Sequence, residues 1–509
     1  MASRGILAID QGTTSTRSVV YDAERLLPLA ASQKEIRQYF PQDGWVEHDP
    51  EEIWQTVAET VQEALRQSGM EPHSLVAIGI TNQRETVLVW ERDTGRAVHR
   101  AIVWQDRRTT RYCQQHASAQ PLITAKTGLF LDPYFSATKI RWLLDQGDHV
   151  RSAAEAGRLA AGTIDTFLIW RLTGGQVHAT DVTNASRTLL FDIHALQWDH
   201  DLLRFFGIPP LLLPQVRPSV SDFGVTRGLA FLPDGIPIRG IAGDQQAALY
   251  GQGCFTAGES KCTYGTGAFY LLHTGSKAVT SHHKLLSTVA AMCDSTPKYA
   301  LEGAVFIAGA AVQWLRDGLR LIRHAAEIEE LAAASRGEEP VICVPGFVGL
   351  GAPHWEPMAR GAILGLTRAT TAADLACAVL EGVTLQVVDL VEAALKDWQG
   401  TPEAATAPLS VDGGMTRNAW FLQRQADVLG RPVVRAAQIE ATAHGAAFLA
   451  AIGAGLTDET ALRQHIQVTA RFEPTWSPER RHQKRRAWRR AVEAVLNFAR
   501  SDGSEPAPG

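Results

Sequence analysis

The sequence predicts an α/β protein made of two homologous halves, each a mixed sheet with flanking helices. Two observations carry this. A strand, a polar Gly/Thr turn and a second strand occur at residues 6–22 and again, half a chain later, at residues 260–272. Around them, apolar runs such as residues 75–80 alternate with amphipathic helical stretches such as residues 50–67. The chain has 509 residues, 45% hydrophobic and 20% charged. That suffices for two large cores and a tail, and it excludes wholesale disorder.

In chain order, Ile6-Leu7-Ala8-Ile9 is an apolar strand ending at Asp10, Gln11 to Ser15 is a turn, and Ser18 to Asp22 returns as a second strand. The Gly-rich stretch 251–258 marks a boundary between a first domain, 1–250, and a second, 251–456. Ser260 to Tyr264, the turn Gly265-Thr266-Gly267, and Phe269 to Leu272 form the second hairpin. Thr371 caps a long helix to about Leu395, with Asp374 completing a capping box. A helical tail, 457–509, contains a last helix opening at Ser477-Pro478. Its basic face (Arg480, Arg481, Lys484, Arg485, Arg486, Arg489, Arg490) reads as a solvated helix face rather than a membrane or nucleic-acid surface.

Composition narrows the function classes. A net charge of -5 leaves no excess of Lys and Arg for phosphate backbones, so no nucleic-acid partner is expected. The six cysteines form no CxxC pair and read as reduced core residues. No apolar run approaches a membrane span, and the N-terminal run is too short for a signal peptide. A cytoplasmic protein without integral membrane association is therefore expected. Asp222-Phe223-Gly224 spells a protein-kinase motif, but no HRD loop precedes it. Walker A, GxSxG, HExxH and GxGxxG signatures are missing as well.

The first hairpin turn carries the chemistry. Gly12 lets the backbone approach an anion, and Thr13, Thr14 and Ser15 add hydroxyl donors to the turn's amides. Arg17 can place a guanidinium on a terminal phosphate, and Asp10 can hold Mg²⁺ directly or through water. Such a turn alone is usually only a turn. Its recurrence at Thr266, together with the loop Asp412-Gly413-Gly414-Met415-Thr416-Arg417-Asn418, suggests three loops from two halves clamping one nucleotide in a cleft.

These three loops resemble the two phosphate loops and the adenosine loop of the actin/Hsp70/sugar-kinase ATPases, whose domains are ribonuclease-H-like. Residues 134–143 (YFSATKIRWL) and 361–366 (GAILGL) resemble the two signatures of the FGGY carbohydrate kinases. Further segments, including GWVEHDPEEIW (44–54), TNQRET (81–86), TNASRTLLFDIH (183–194), IAGDQQAAL (241–249) and YGTGAF (264–269), are similar to the glycerol-phosphorylating members. The resemblance runs from Ile6 to about Leu456. It implies ATP-dependent phosphorylation of glycerol to sn-glycerol 3-phosphate, with ATP and Mg²⁺, in an active site between the two domains, by a homodimer or homotetramer.

Site residues follow from the same matches. A small triol needs hydrogen bonds on its oxygens and apolar walls at its carbon edge. The resemblance places Arg84 and Glu85 on the hydroxyls, Trp104 and Phe269 as walls, and Tyr134 and Gln245 as further contacts. Asp244 is the expected catalytic base, with Arg17 stabilising the transferred phosphoryl group. Gly309, Gln313, Gly413, Gly414 and Asn418 match positions around the nucleotide. Alone, each has an ordinary reading as a surface pair, a core aromatic or a turn. The chain departs from the family at His354 (usually Tyr), at His444 (usually Leu) and in Met415-Thr416-Arg417.

The rivals are an FGGY kinase for xylulose, ribulose or erythritol, and a non-enzymatic actin- or Hsp70-like ATP switch. Some family members are inhibited by fructose 1,6-bisphosphate at a Gly-Gly-Thr-Arg loop, and others are activated by phosphorylation of a histidine in that loop. Here Gly235 stands at the arginine and Phe231 at the histidine, which implies insensitivity to both.

Overall fold

The computed structural model describes residues 4–336, 341–437 and 440–501. The end of the expected helical tail, 502–509, lies outside them. In the first half, β1 (Gly5–Gln11), β2 (Ser15–Asp22) and β3 (Pro28–Glu35) are antiparallel neighbours. On the other side of β1, β4 (Leu75–Asn82) and then β5 (Ile238–Gly243) pair in parallel, for the order β5-β4-β1-β2-β3. Ile6, Leu7, Ala8 and Ile9 of β1 are fully buried, as expected of a central strand covered on both faces. A smaller four-stranded sheet, including residues 87–91 and 159–163, extends this half.

The second half contains β6 (Ser260–Tyr264), β7 (Ala268–Gly275), β8 (Leu286–Val289), β9 (Tyr299–Val305), β10 (Leu409–Asp412), β11 (Val433–Ala436) and β12 (Val468–Phe472). Its order is β8-β9-β7-β6-β10-β11-β12. The five central strands, β9-β7-β6-β10-β11, repeat β3-β2-β1-β4-β5 in order and in strand sense. The repeat seen as two hairpins in the sequence is thus a repeat of whole sheets.

Helices cover both sheets. α1 (Pro50–Ser68) is capped by Asp49 and buries Ile53, Val57, Val61 and Leu65. Its Thr56 and Thr60 hydroxyls meet those of Thr16 and Ser18 on β2, each at 2.8 Å. α2 (Ser136–Leu144) carries the first signature segment. α3 (Asp244–Gly251) follows β5, and the short α4 (Gly309–Gln313) follows β9. α5 (Ala372–Trp398) has the expected capping box at Thr371 and Asp374 and packs on the second sheet. α6 (Ala419–Leu429) follows β10, α7 (Ala441–Gly453) follows β11, and α8 (Pro478–Ser501) is the last.

Two helices bind the halves together. α3 and α7 are equivalent elements of the two repeats, and they pack against each other at Gly251 and Gly445. A methyl at either position would overlap the backbone of the opposite helix. α7 also lies on β1, β4 and β5, so an element from the second half covers the first sheet. His444 of α7 packs on Phe448 (4.0 Å) and Tyr21 of β2 (5.6 Å), and burial lowers its pKa to about 4. His354 sits 3.7 Å from Asp389 of α5. Part of the basic face of α8 is paired with α5: Lys484 with Glu381, and Arg485 (2.5 Å) and Arg489 (3.2 Å) with Glu392. Buried Trp488 donates to Asp389 at 2.7 Å.

Candidate active site

Asp10 pairs with Thr81, and Asn82 with Gly243, so β1, β4 and β5 end at one edge. β6 and β10 end likewise in the second half. Ligands of open α/β sheets bind beyond the carboxyl ends of parallel strands, and every expected loop stands there.

The first hairpin loop is closed by Gly12 N donating to Ser15 O at 2.9 Å. Thr14 is exposed at its tip. Thr13 Oγ1 accepts from Trp104 Nε1 (2.8 Å), which ties the expected phosphate turn to the expected triol wall. The Ser15 hydroxyl accepts from Gln33 (2.7 Å). Arg17 donates to Gln33 (2.5 Å) and pairs with Glu440, the residue just before α7. A terminal phosphate would therefore compete with the Glu440 carboxylate for this guanidinium.

Arg84 and Glu85 lie in the turn after β4. Thr86 N donates to Arg84 O at 2.7 Å, closing a three-residue turn centred on Glu85 with φ of 60°. A non-glycine residue in that region is strained, and such strain concentrates where side chains must be aimed. Gln83 anchors the turn on Gln11 and Gly12 (both 3.1 Å), and Ser136 of α2 holds the Glu85 carbonyl (3.2 Å). Buried Lys139 donates to the carbonyls of Tyr134 (2.6 Å) and Pro133 (3.2 Å), fixing the Tyr134 loop. The Tyr134 ring stands edge-on to Trp104 at 5.5 Å.

The charges here form a ladder between the two halves. Arg187 Nε donates to Glu85 Oε1 (2.6 Å), and Arg187 Nη2 to Glu302 Oε1 (3.0 Å). Arg84 reaches the same carboxylate with Nη1 (2.6 Å) and Nη2 (2.9 Å), while its Nε lies 3.2 Å from Asp244 Oδ1. Asp244 is the first residue of α3, and Oδ1 also accepts from Gln245 N at 2.7 Å. Burial raises its pKa, against the pull of Arg84 and of Lys261 on β6. Gly243 has no side chain because the Arg84 stem crosses it: a Cβ there would lie 2.6 Å from Arg84 Cγ.

The second-half loops interlock. Gly309 N donates to Gly265 O (2.9 Å) and Ala310 N to Thr266 O (3.1 Å), so α4 begins against the second turn. Gly413, with φ of 92°, packs where a Cβ would overlap the Tyr264 carbonyl. Gly414 faces open space. Gln313 is exposed on α4, whereas Asn418 uses Oδ1 to cap α6 through Phe421 N (2.7 Å). Gln245 accepts from Lys261 Nζ at 2.5 Å. Phe269 is half-buried on β7, opposite Ala304.

Two profiles of the FGGY family of carbohydrate kinases match, the N-terminal domain over residues 5–251 and the C-terminal domain over residues 260–454. The chain belongs to the FGGY carbohydrate kinases. This FGGY kinase is 52% identical to a glycerol kinase from Methylobacterium nodulans over 97% of this chain and 98% of that one. It is similar in structure to a Plasmodium falciparum glycerol kinase solved with ADP, with a TM-score of 0.91 and 36% identity, covering 97% and 99% of the two chains. A ligand-bound xylulose kinase from Lactobacillus acidophilus shares the fold (TM-score 0.86, 23% identity, 98% and 99% covered).

Sequence reasoning missed four residues that this FGGY kinase places in the site: Arg187, Lys261, Glu302 and Glu440. Lys261 and Glu302 are each the single charge in a largely buried strand, Ser-Lys-Cys-Thr-Tyr and Tyr-Ala-Leu-Glu-Gly-Ala-Val. A lone charge in a buried strand demands a partner, and that signal was available.

Proposed function

We propose that this FGGY kinase transfers the γ-phosphoryl group of ATP to a terminal hydroxyl of glycerol, giving sn-glycerol 3-phosphate. The carrying observation is the polar cluster in which Arg84 lies between Glu85 and Asp244, beside Tyr134 and Trp104. Among the described residues, Arg84 Nη2 keeps an N–H beyond its Glu302 bond, and Glu85 Oε2 and Asp244 Oδ2 keep lone pairs. One donor and two acceptors suit a small polyol. High identity to glycerol kinases over nearly the full chain supports this substrate over a pentulose.

In this reading Asp244 Oδ2 accepts the proton of the terminal hydroxyl as its oxygen attacks the γ-phosphorus in line. Arg84 and Glu85 orient the other hydroxyls, with Gln245 and Tyr134 beside them, and Trp104 and Phe269 enclose the carbon edge. Thr13, Thr14, Ser15 and Thr266 donate to phosphate oxygens, and Arg17 leaves Glu440 for the terminal phosphate. Gly309, Gln313, Gly413, Gly414 and Asn418 hold the nucleoside end.

The acidic residues at the strand ends fit Mg²⁺. Burial raises the Asp10 pKa to about 7, with Asp244 and Glu440 adding to the rise against Arg17. Asp412 Oδ1 is buried without a hydrogen-bond partner. Among the described residues no three ligating side chains converge, so Asp10 would hold the ion mainly through water and phosphate oxygens. Bound Mg²⁺ would offset the charge of the β- and γ-phosphates.

The resemblance also implies a cytoplasmic homodimer or homotetramer, which light scattering on the purified protein would test for assembly. No helix among the described residues is long and apolar enough to cross a membrane. The decisive assay is phosphorylation of a panel of glycerol, erythritol, xylulose and ribulose, read as acceptor-dependent ADP release. Glycerol is expected to be the best acceptor by kcat/KM. A preferred pentulose would replace the substrate, and no acceptor dependence would favour an ATP switch.

A further inference from the structure

Glu302 is the one ladder member supplied by the second half. It lies on β9 opposite Leu271 of β7, while Phe269 lies opposite Ala304. Cross-strand partners share a face, and so do residues two apart on one strand. Glu302 and Phe269 therefore stand on the same face of the second sheet, the face turned to Arg84. Both carboxylate oxygens of Glu302 are engaged, and both bind guanidinium groups of the first half.

We propose that Glu302, bridging Arg84 and Arg187, is a positioning residue that keeps the acceptor-binding groups of the first half open and couples their geometry to the seating of the second half. This rests on the kinase reading above.

Without Glu302, the first half brings two cations, Arg84 and Arg187, and two anions, Glu85 and Asp244. These groups would pair off among themselves, and the donor and lone pairs needed by the acceptor would be consumed. With Glu302 present, Arg84 is drawn toward the second half and its Nε stays 3.9 Å from Glu85 Oε1. Arg187 is likewise shared, and its Nη1 is left buried without a partner among the described residues. A guanidinium stretched between two carboxylates from different halves accepts that imperfection. Arg187 and Arg84 pull the Glu302 pKa down to about 2 against its burial, so it stays ionised across the working range. The ladder is complete only when β9 faces the turn after β4. A mispositioned second half would leave Arg84, whose Nε already lies 3.2 Å from Asp244 Oδ1, with its Nη1 and Nη2 free to turn onto the carboxylates of the first half.

The test is Glu302→Gln, which keeps size and shape but removes the charge. The best acceptor of the wild-type panel is used, so a wrong substrate assignment shows in the wild-type alone. Relative to wild type, the acceptor KM should rise at least tenfold, with the ATP KM within twofold. The acid limb of the pH profile of kcat/KM for the acceptor should also move to lower pH. The groups facing Asp244 are Arg84, Lys261 on β6, Glu302 on β9 and Asp10 at the end of β1. Glu302 itself raises the Asp244 pKa, so both the loss of its charge and the release of Arg84 toward Asp244 favour the charged carboxylate. Arg187→Lys, which retains charge but cannot serve both glutamates, should raise the acceptor KM in the same selective way. Wild-type acceptor KM with an unmoved acid limb in folded Glu302→Gln would overturn the proposal, as would equal losses for acceptor and ATP. Should Glu302→Gln not fold, the KM readings on Arg187→Lys decide.

Discussion

Gly243→Ala adds one methyl group and tests whether the path of Arg84 matters. The backbone of Gly243 has φ of -59° and ψ of 150°, so alanine fits the main chain without strain. The obstacle is Arg84: the new Cβ would lie 2.6 Å from its Cγ and 2.7 Å from its Cδ. Carbon atoms pack at about 3.5–4.0 Å. The stem must therefore move by on the order of 1 Å, enough to break the bonds of 2.6 and 2.9 Å to Glu302. Misplacing a positioning group by about 1 Å lowers rates by about 10². Overpacking adds roughly 1–3 kcal/mol of destabilisation. Steady-state phosphorylation of glycerol, beside a thermal melt, should show kcat/KM for glycerol reduced about 100-fold in a protein that still folds. Wild-type kcat/KM and an unchanged melting temperature would refute the reasoning, because Arg84 would then tolerate a shifted stem.

Asp244→Asn should lower kcat by roughly 10² or more, because the amide cannot take the hydroxyl proton; calorimetry should find ADP affinity retained. Asp165 lies outside the site, accepting from the Thr163 (2.5 Å) and Thr180 (2.6 Å) hydroxyls, and burial, with Asp181 adding, raises its pKa to about 7. The folded state thus holds a proton that the unfolded chain releases near pH 4, and stability falls as pH rises from about 4 to 7, by at most about 1.4 kcal/mol per unit. Urea denaturation at pH 5 and 7 should show a smaller difference in Asp165→Asn than in wild type. Phe231 packs edge-on against Trp54 at 5.5 Å, and Asp234 accepts from Gly228 N at 2.6 Å. Titration with fructose 1,6-bisphosphate should leave activity unchanged, since this loop presents an aromatic ring and a carboxylate.

Local signals made much of the fold legible. The capping box at Thr371 and Asp374 marks the start of α5 because it is written in adjacent residues. Both hairpins are equally local. The placement of α7 on the first sheet is not, since it depends on Gly79, Gly240 and Gly251 leaving room for a helix from far along the chain. In the site, the loops were visible because glycine and threonine turns have their own grammar. The ladder was not: the lone charge of Glu302 signals only that a partner exists, and the partners of Arg187 and Glu302 come from segments far away in sequence. The contact of Arg17 with Glu440 was not legible either, because nothing near Arg17 in sequence shows it.

The glycines under α7 have a consequence for how the protein is made. Methyl groups at Gly79 and Gly240 would overlap the α7 backbone at Ala446 and Ala450, so the floor of the first sheet is shaped for a helix translated near the end of the chain. A ribosome adding roughly 5–20 residues per second leaves that floor uncovered for on the order of tens of seconds after β4 emerges. The nascent first half therefore waits in the cell with an open apolar face, a natural perch for chaperones. Ending the chain after residue 251 would make that exposure permanent.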